Sequence, residues 1–148
     1  MTDQASRPFG WLAPAIVLLA AIGVAISAYL TITRLTGGPI VCPVGGGGCD
    51  AVDASSYSTI LGIPVAAFGL GYSAVVLGAG LAWWARGDRR ALQVAYALGI
   101  LGVLFEAYLV YLELFVIHAV CAWCVLYGVT VVLGLVAAAL ELRRTRPA

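Results

Sequence analysis

"AVCAWCVLYGVTVVLGLVAAAL", residues 119–140, contains no charged side chain and no proline. An α-helix rises ~1.5 Å per residue, so roughly 20 apolar residues cross the ~30 Å hydrocarbon core of a bilayer. The stretch therefore reads as a membrane span. Working towards the N-terminus, long, predominantly apolar runs occupy about residues 91–114, 60–84 and 11–33. Hydrophobic residues make up 63% of the chain and charged residues 10%, against about 45–50% and about 25% in soluble domains. The fold class expected is an all-α membrane protein, a four-transmembrane-helix bundle forming one domain over residues 1–148. The first run is longer than the ~7–15-residue core of a signal peptide and has only Arg7 before it, so it is expected to be retained. One loop of substance remains, at about residues 37–59.

All eight basic residues are arginines. Arg7 precedes the first span, Arg86, Arg89 and Arg90 lie between the second and third, and Arg143, Arg144 and Arg146 follow the fourth. Four spans put these seven on one side, leaving only Arg34 opposite. The positive-inside rule then makes both termini cytoplasmic and turns the long loop outward. Trp11, Trp83 and Trp84 fit an inner aromatic belt; Tyr29, Tyr57, Phe115 and Trp123 fit an outer one. No basic arm or other nucleic-acid signature is present, and the lipid bilayer is the partner that the composition implies.

This topology gathers all four cysteines at the outer face. Cys42 and Cys49 bracket four glycines in "VCPVGGGGCD", residues 41–50, and Cys121 and Cys124 form the "CAWC" that opens the fourth span. Four cysteines allow three pairings; the local spacings favour Cys42–Cys49 and Cys121–Cys124. Positions i and i+3 share a helix face, and the unpaired N–H groups and positive dipole end of a helix N-terminus favour a thiolate. The thiolate is the species that attacks a disulfide. Two static disulfides in a non-catalytic membrane subunit are the competing reading. Zinc is a weaker one, because the first pair is C-x6-C and His118 is the only histidine; no metal is expected. Small residues suggest which faces turn inward: Gly71, Ala74 and Gly78 on the second span, Gly99 and Gly102 with Glu106 and Glu113 on the third, and Cys121, Cys124, Gly128 and Val131 on the fourth.

The loop pair, the stretch "CDAVDASSYSTILGIPVAAFG" from Cys49 to Gly69, and "CAWC" at the head of the last of four helices together resemble the bacterial members of the vitamin K epoxide reductase family. The resemblance implies a four-helix bundle around a quinone, ubiquinone or menaquinone, with a short helix after the second loop cysteine capping the bundle. It implies a bacterial inner-membrane enzyme. Electrons would pass from a periplasmic DsbA-like thioredoxin-fold partner to Cys42/Cys49, then to Cys121/Cys124, then to quinone, in support of disulfide bond formation. No thioredoxin domain is fused within these 148 residues, so the partner is expected to be a separate protein. DsbB-type oxidases carry their C-x-x-C in the first outer loop instead. Vertebrate members have an asparagine near the place of Val65 or Ala66 and a tyrosine at that of Gly128. Both departures favour quinone reduction over vitamin K epoxide reduction, the other enzymatic alternative.

The family's serine or threonine, six residues after the second loop cysteine, is Ser55 here. It is expected to donate to a quinone oxygen, or else to cap the start of a neighbouring helix. Asp50 and Asp53 are expected to cap the short helix. Phe68, Tyr72, Tyr108 and Tyr127 are candidates for the quinone pocket. Glu106, an acid well inside a span, is either a proton relay or an interhelical hydrogen-bonding group. His118 is an interfacial histidine or a thiolate partner. The four glycines are read as a source of mobility, letting Cys49 serve Cys42 and Cys121 in turn.

Overall fold

The computed structural model describes residues 11–44 and 47–146, so Arg7 lies outside the described residues. Four long helices carry the fold: α1 (Leu12–Thr36), α3 (Val65–Arg86), α4 (Arg89–Leu112) and α5 (Ala122–Arg144), with a short α2 (Gly48–Ala54) between α1 and α3. All four long helices meet the length and hydropathy of membrane spans, and the protein is a multi-pass membrane protein. The bundle runs α1, α3, α4, α5 and back to α1 in a ring, α1 and α3 being the closest pair and α3 and α4 the loosest.

Terminators in the sequence set the helix ends. α1 and α3 stop at Gly37 and Gly87, both in the left-handed conformation. Asp88 caps α4 by accepting the Arg90 N–H at 3.0 Å. At the arginine-rich end, Arg89 donates to the Thr145 carbonyl, tying the start of α4 to the end of α5. There Leu12, Ile16, Leu92, Ala137 and Ala138 form the inner core, with buried Glu141 accepting from Trp83 Nε1 at 3.2 Å.

The second span begins at Val65 rather than near residue 60. Thr59–Ile60 and Ile63–Pro64 pair instead as a minimal antiparallel hairpin, labelled β1 and β2, and Pro64 then sits at the helix N-cap. The face assigned to that span is also corrected. Gly71, Ala74 and Gly78 lie on the exposed side; Gly69, Ser73 and Gly80 are the residues turned towards α1. A membrane helix is apolar all round, so hydropathy gives no contrast between its lipid-facing and protein-facing sides. The faces read for α4 and α5 are found as expected, with Gly99, Glu113, Cys121 and Val131 buried.

Candidate redox site

Helix α2 brings one cysteine pair to the other. It begins one residue before Cys49 rather than after it. Cys42 and Cys49 are joined in a disulfide, with Cα atoms 6.0 Å apart, as their spacing suggested. Cys49 is 1% exposed and packs with Ile40 against Cys121, itself 2% exposed. Cys42 is only half buried. Cys121 is the N-cap of α5 and Cys124 lies in its first turn. Both are free thiols, so the spacing-based expectation of a bond between them is not met in this state, and neither is the arrangement of two static disulfides.

Of the glycine run read as a source of mobility, Gly45 and Gly46 lie outside the described residues, and Gly48 supplies a contact. A β-carbon on Gly48 would collide with the carbonyl oxygen of Val120, the residue before Cys121. Only glycine lets the α2 backbone come this near to the head of α5. The other arm of the loop is pinned by two aromatic residues. Val41 donates to the Tyr29 hydroxyl at 3.0 Å and accepts from Trp123 Nε1 at 2.8 Å, and the two rings lie 5.4 Å apart. Tyr29 and Trp123 thus clamp the loop beside Cys42. The aspartates do not cap α2. Asp50 accepts from Ile40 N–H at 3.4 Å, and Asp53 pairs with Arg34 at 3.1 Å. The one arginine at this end therefore secures α2 to α1.

Beneath the cysteines lies a cavity of about 470 Å³ enclosed by the ring of long helices, with α2 over its outer end. Ser55, Phe68, Tyr72, Tyr127 and Glu106 all line it, as do Cys49, Cys121 and Cys124. Tyr108 does not: it is 51% exposed and stacks on Phe105, with ring centroids 6.3 Å apart. Leu101, Phe105 and Leu112, on the same stripe of α4 as residue 108, do line the cavity, so helical phase alone does not set Tyr108 apart; the outward turn of its side chain does. Ser55 Oγ donates to the Val52 carbonyl at 2.7 Å, closing the end of α2 rather than the start of a helix. The Tyr127 hydroxyl donates to the Gly69 carbonyl and contacts Ser73 Oγ, both at 3.0 Å. The Glu106 carboxyl rests over Gly128 of α5, where a β-carbon would come within 3.1 Å of Oε2.

Glu113 belongs to the site and was not picked out from the sequence beyond its place on the Glu106 face. It begins a π-helical turn, Glu113–Ile117, that ends α4. It is 4% exposed, and its Oε2 accepts the Cys121 N–H at 3.3 Å. His118 closes that turn in the left-handed conformation, exposed. The hydrogen bond from the Cys124 thiol, and donation from the backbone N–H groups of Cys124 and Trp123, hold the Cys121 thiol below its ordinary pKa despite burial. Among the described residues no three His, Cys, Asp or Glu side chains converge as metal ligands.

Comparison with known proteins agrees with this geometry. The sequence profile described as the vitamin K epoxide reductase family matches residues 14–139, which takes in α3 and α4, most of α1 and α5, and all four cysteines. The thiol-disulfide oxidoreductase LTO1 of Arabidopsis thaliana is 42% identical over 43 residues, a match covering 29% of this chain and 11% of that protein.

Proposed function

This chain belongs to the vitamin K epoxide reductase family, and on that premise we propose that it is a quinone-dependent thiol:disulfide oxidoreductase supporting disulfide bond formation. Its electrons come from a periplasmic DsbA-like thioredoxin-fold protein. The observation that carries the reading is the graded line of sulfurs: Cys42 half buried, Cys49 packed on Cys121, and Cys124 in the wall of the cavity. The named relative, a thiol-disulfide oxidoreductase, is consistent with it.

The partner thiolate attacks Cys42, the more accessible sulfur of the bonded pair. A new S–S bond forms there and Cys49 leaves as a thiolate against Cys121. When Cys121 and Cys124 are bonded, Cys49 attacks Cys121, whose depressed thiol pKa fits it to the exchange. Cys124 is then released at the cavity. The partner's second thiol attacks its own mixed disulfide and releases Cys42, and Cys42 then attacks Cys49, restoring the loop disulfide and freeing Cys121.

The cavity fits a quinone ring. Its ~470 Å³ falls in the ~300–1,000 Å³ range of small-molecule sites, and apolar walls enclose a few polar groups, as such sites require. A bound quinone supplies a two-electron, two-proton acceptor. Phe68 and Tyr72 would hold its ring, with Tyr127 fixing the wall by its bond to Gly69. Ser55 is placed to donate to a ring oxygen by releasing the Val52 carbonyl, and Glu106 to relay a proton. The arginine distribution supports an orientation with both termini cytoplasmic and the site on the opposite, periplasmic face of a bacterial inner membrane.

The test uses the full chain in lipid nanodiscs, a reduced DsbA-like partner and either a ubiquinone or a menaquinone analogue, following thiol loss and quinone absorbance together. Stoichiometric consumption with one of the two is expected. It should be abolished by alanine at any of the four cysteines, and a partner lacking its second thiol should be trapped as a mixed disulfide at Cys42 of the wild-type chain. Unchanged rates in the cysteine variants would refute the relay.

A further inference from the structure

Glu113 occupies a place that packing alone does not explain. An acid at 4% exposure inside an apolar bundle is costly unless it is paired or has a task. Its Oε2 receives the Cys121 N–H at 3.3 Å, which sets the carboxyl at the head of α5, where Cys124 shares the cavity wall with it. The carboxyl is thus anchored on the C-x-x-C. The π-helical turn that begins at Glu113 also supports its backbone, its carbonyl accepting the Ala119 N–H at 3.1 Å. Such turns recur where a side chain is held for function.

A thiol must give up its proton before its sulfur can donate electrons or bond to another. The acids lining the cavity among the described residues are Asp53, Glu106 and Glu113. Asp53 is engaged with Arg34. Glu106 lies over Gly128, one turn beyond Cys124 on α5. Glu113 is the one hydrogen-bonded to the C-x-x-C itself, through the Cys121 N–H. We propose that Glu113 is the proton acceptor of the C-x-x-C centre, taking the Cys124 proton as the pair closes and passing it inward towards Glu106. This rests on the reading above for the direction of electron flow.

Closing the pair breaks two S–H bonds, forms one Cys121–Cys124 S–S bond, and releases two protons and two electrons. The electron pair goes to the oxidant, a quinone in the proposed function or diamide in the test. The Cys121 proton, the more readily lost, leaves first, and the Cys124 proton then goes to the Glu113 carboxylate. Both protons end on the reduced acceptor.

The test compares the wild-type chain with Glu113→Gln, which keeps an oxygen for the Cys121 N–H but is no base. Glu141→Gln, a buried carboxyl at the other end of the bundle, is the control. The fully reduced chain in nanodiscs is mixed with diamide, and closure of the Cys121–Cys124 bond is followed by quench and alkylation. General-base assistance is worth about 10²- to 10⁴-fold, so Glu113→Gln is expected to close about 100-fold more slowly or worse, and Glu141→Gln within about twofold of wild type. Closure of Glu113→Gln within about threefold would overturn the assignment. Infrared spectra of the reduced wild type give a second reading that does not depend on that variant folding. An S–H band shifted by a carboxylate acceptor, and lost in Cys124→Ser, is expected; its absence overturns the proposal. Diamide needs no quinone, so Glu113-dependent closure without any quinone turnover would refute the proposed function and leave this inference standing.

Discussion

Replacing Gly48 with alanine adds one methyl group at the joint between the two cysteine pairs. The new β-carbon would overlap the Val120 carbonyl oxygen and lie 3.2 Å from its carbon and 3.6 Å from its nitrogen. That wall does not yield easily, because the next N–H, of Cys121, is held by Glu113 and the previous one, of Ala119, by the Glu113 carbonyl. Helix α2 must therefore lift, carrying Cys49 away from Cys121. Overpacking of this kind costs about 1–3 kcal/mol. If transfer proceeds only from the docked position, that cost converts to a rate lower by roughly 5- to 150-fold. The assay is single-turnover: load the Cys42/Cys49 dithiol with the Cys121–Cys124 disulfide formed, then quench with acid and tag the free thiols over time. A melting curve in detergent checks that the bundle is intact. Transfer within about twofold of wild type would refute the argument that close contact sets the rate. Alanines at Gly45 and Gly46 separate contact from mobility, since slowing equal to that of Gly48→Ala would make loop freedom the governing factor.

Tyr127→Phe removes the hydroxyl that bonds the Gly69 carbonyl and Ser73; a destabilisation of about 1–3 kcal/mol is expected, read from thermal melts. The Cys121 thiol should be alkylated by iodoacetamide with a pH midpoint below the ~8.5 of an ordinary cysteine. Cys124→Ala removes the strongest of the donors that hold it there and should move the midpoint up. Arg34 and Asp53 are each about one-third exposed, so a double-mutant cycle should return a coupling of only ~0.2–1 kcal/mol. Tyr108→Leu should leave the quinone KM within about twofold, whereas Phe68→Ala should raise it several-fold, because only the second lines the cavity.

Much of this protein was legible in the sequence, for a physical reason. A bilayer demands about 20 apolar residues per helix and biases arginines to one side. Four spans, their approximate ends and the gathering of four cysteines at one face follow from those demands. The C-x-x-C at the head of α5 was legible because i, i+3 spacing is local. What the sequence did not determine is which sides of the spans meet. Inside a membrane an inward and an outward face are equally apolar, so Gly71 and Gly78 read as well as Gly69 and Gly80 for the face of α3, and Tyr108 read as well as Tyr72 for the cavity. The contacts across the chain were decided by tertiary structure alone. These are Gly48 on the Val120 carbonyl, Arg34 on Asp53, Tyr29 and Trp123 around Val41, and Glu113 under Cys121 and Cys124. Each joins residues distant in sequence or turned together by a local irregularity, the π-helical turn after α4, and no periodicity within one helix encodes such a meeting.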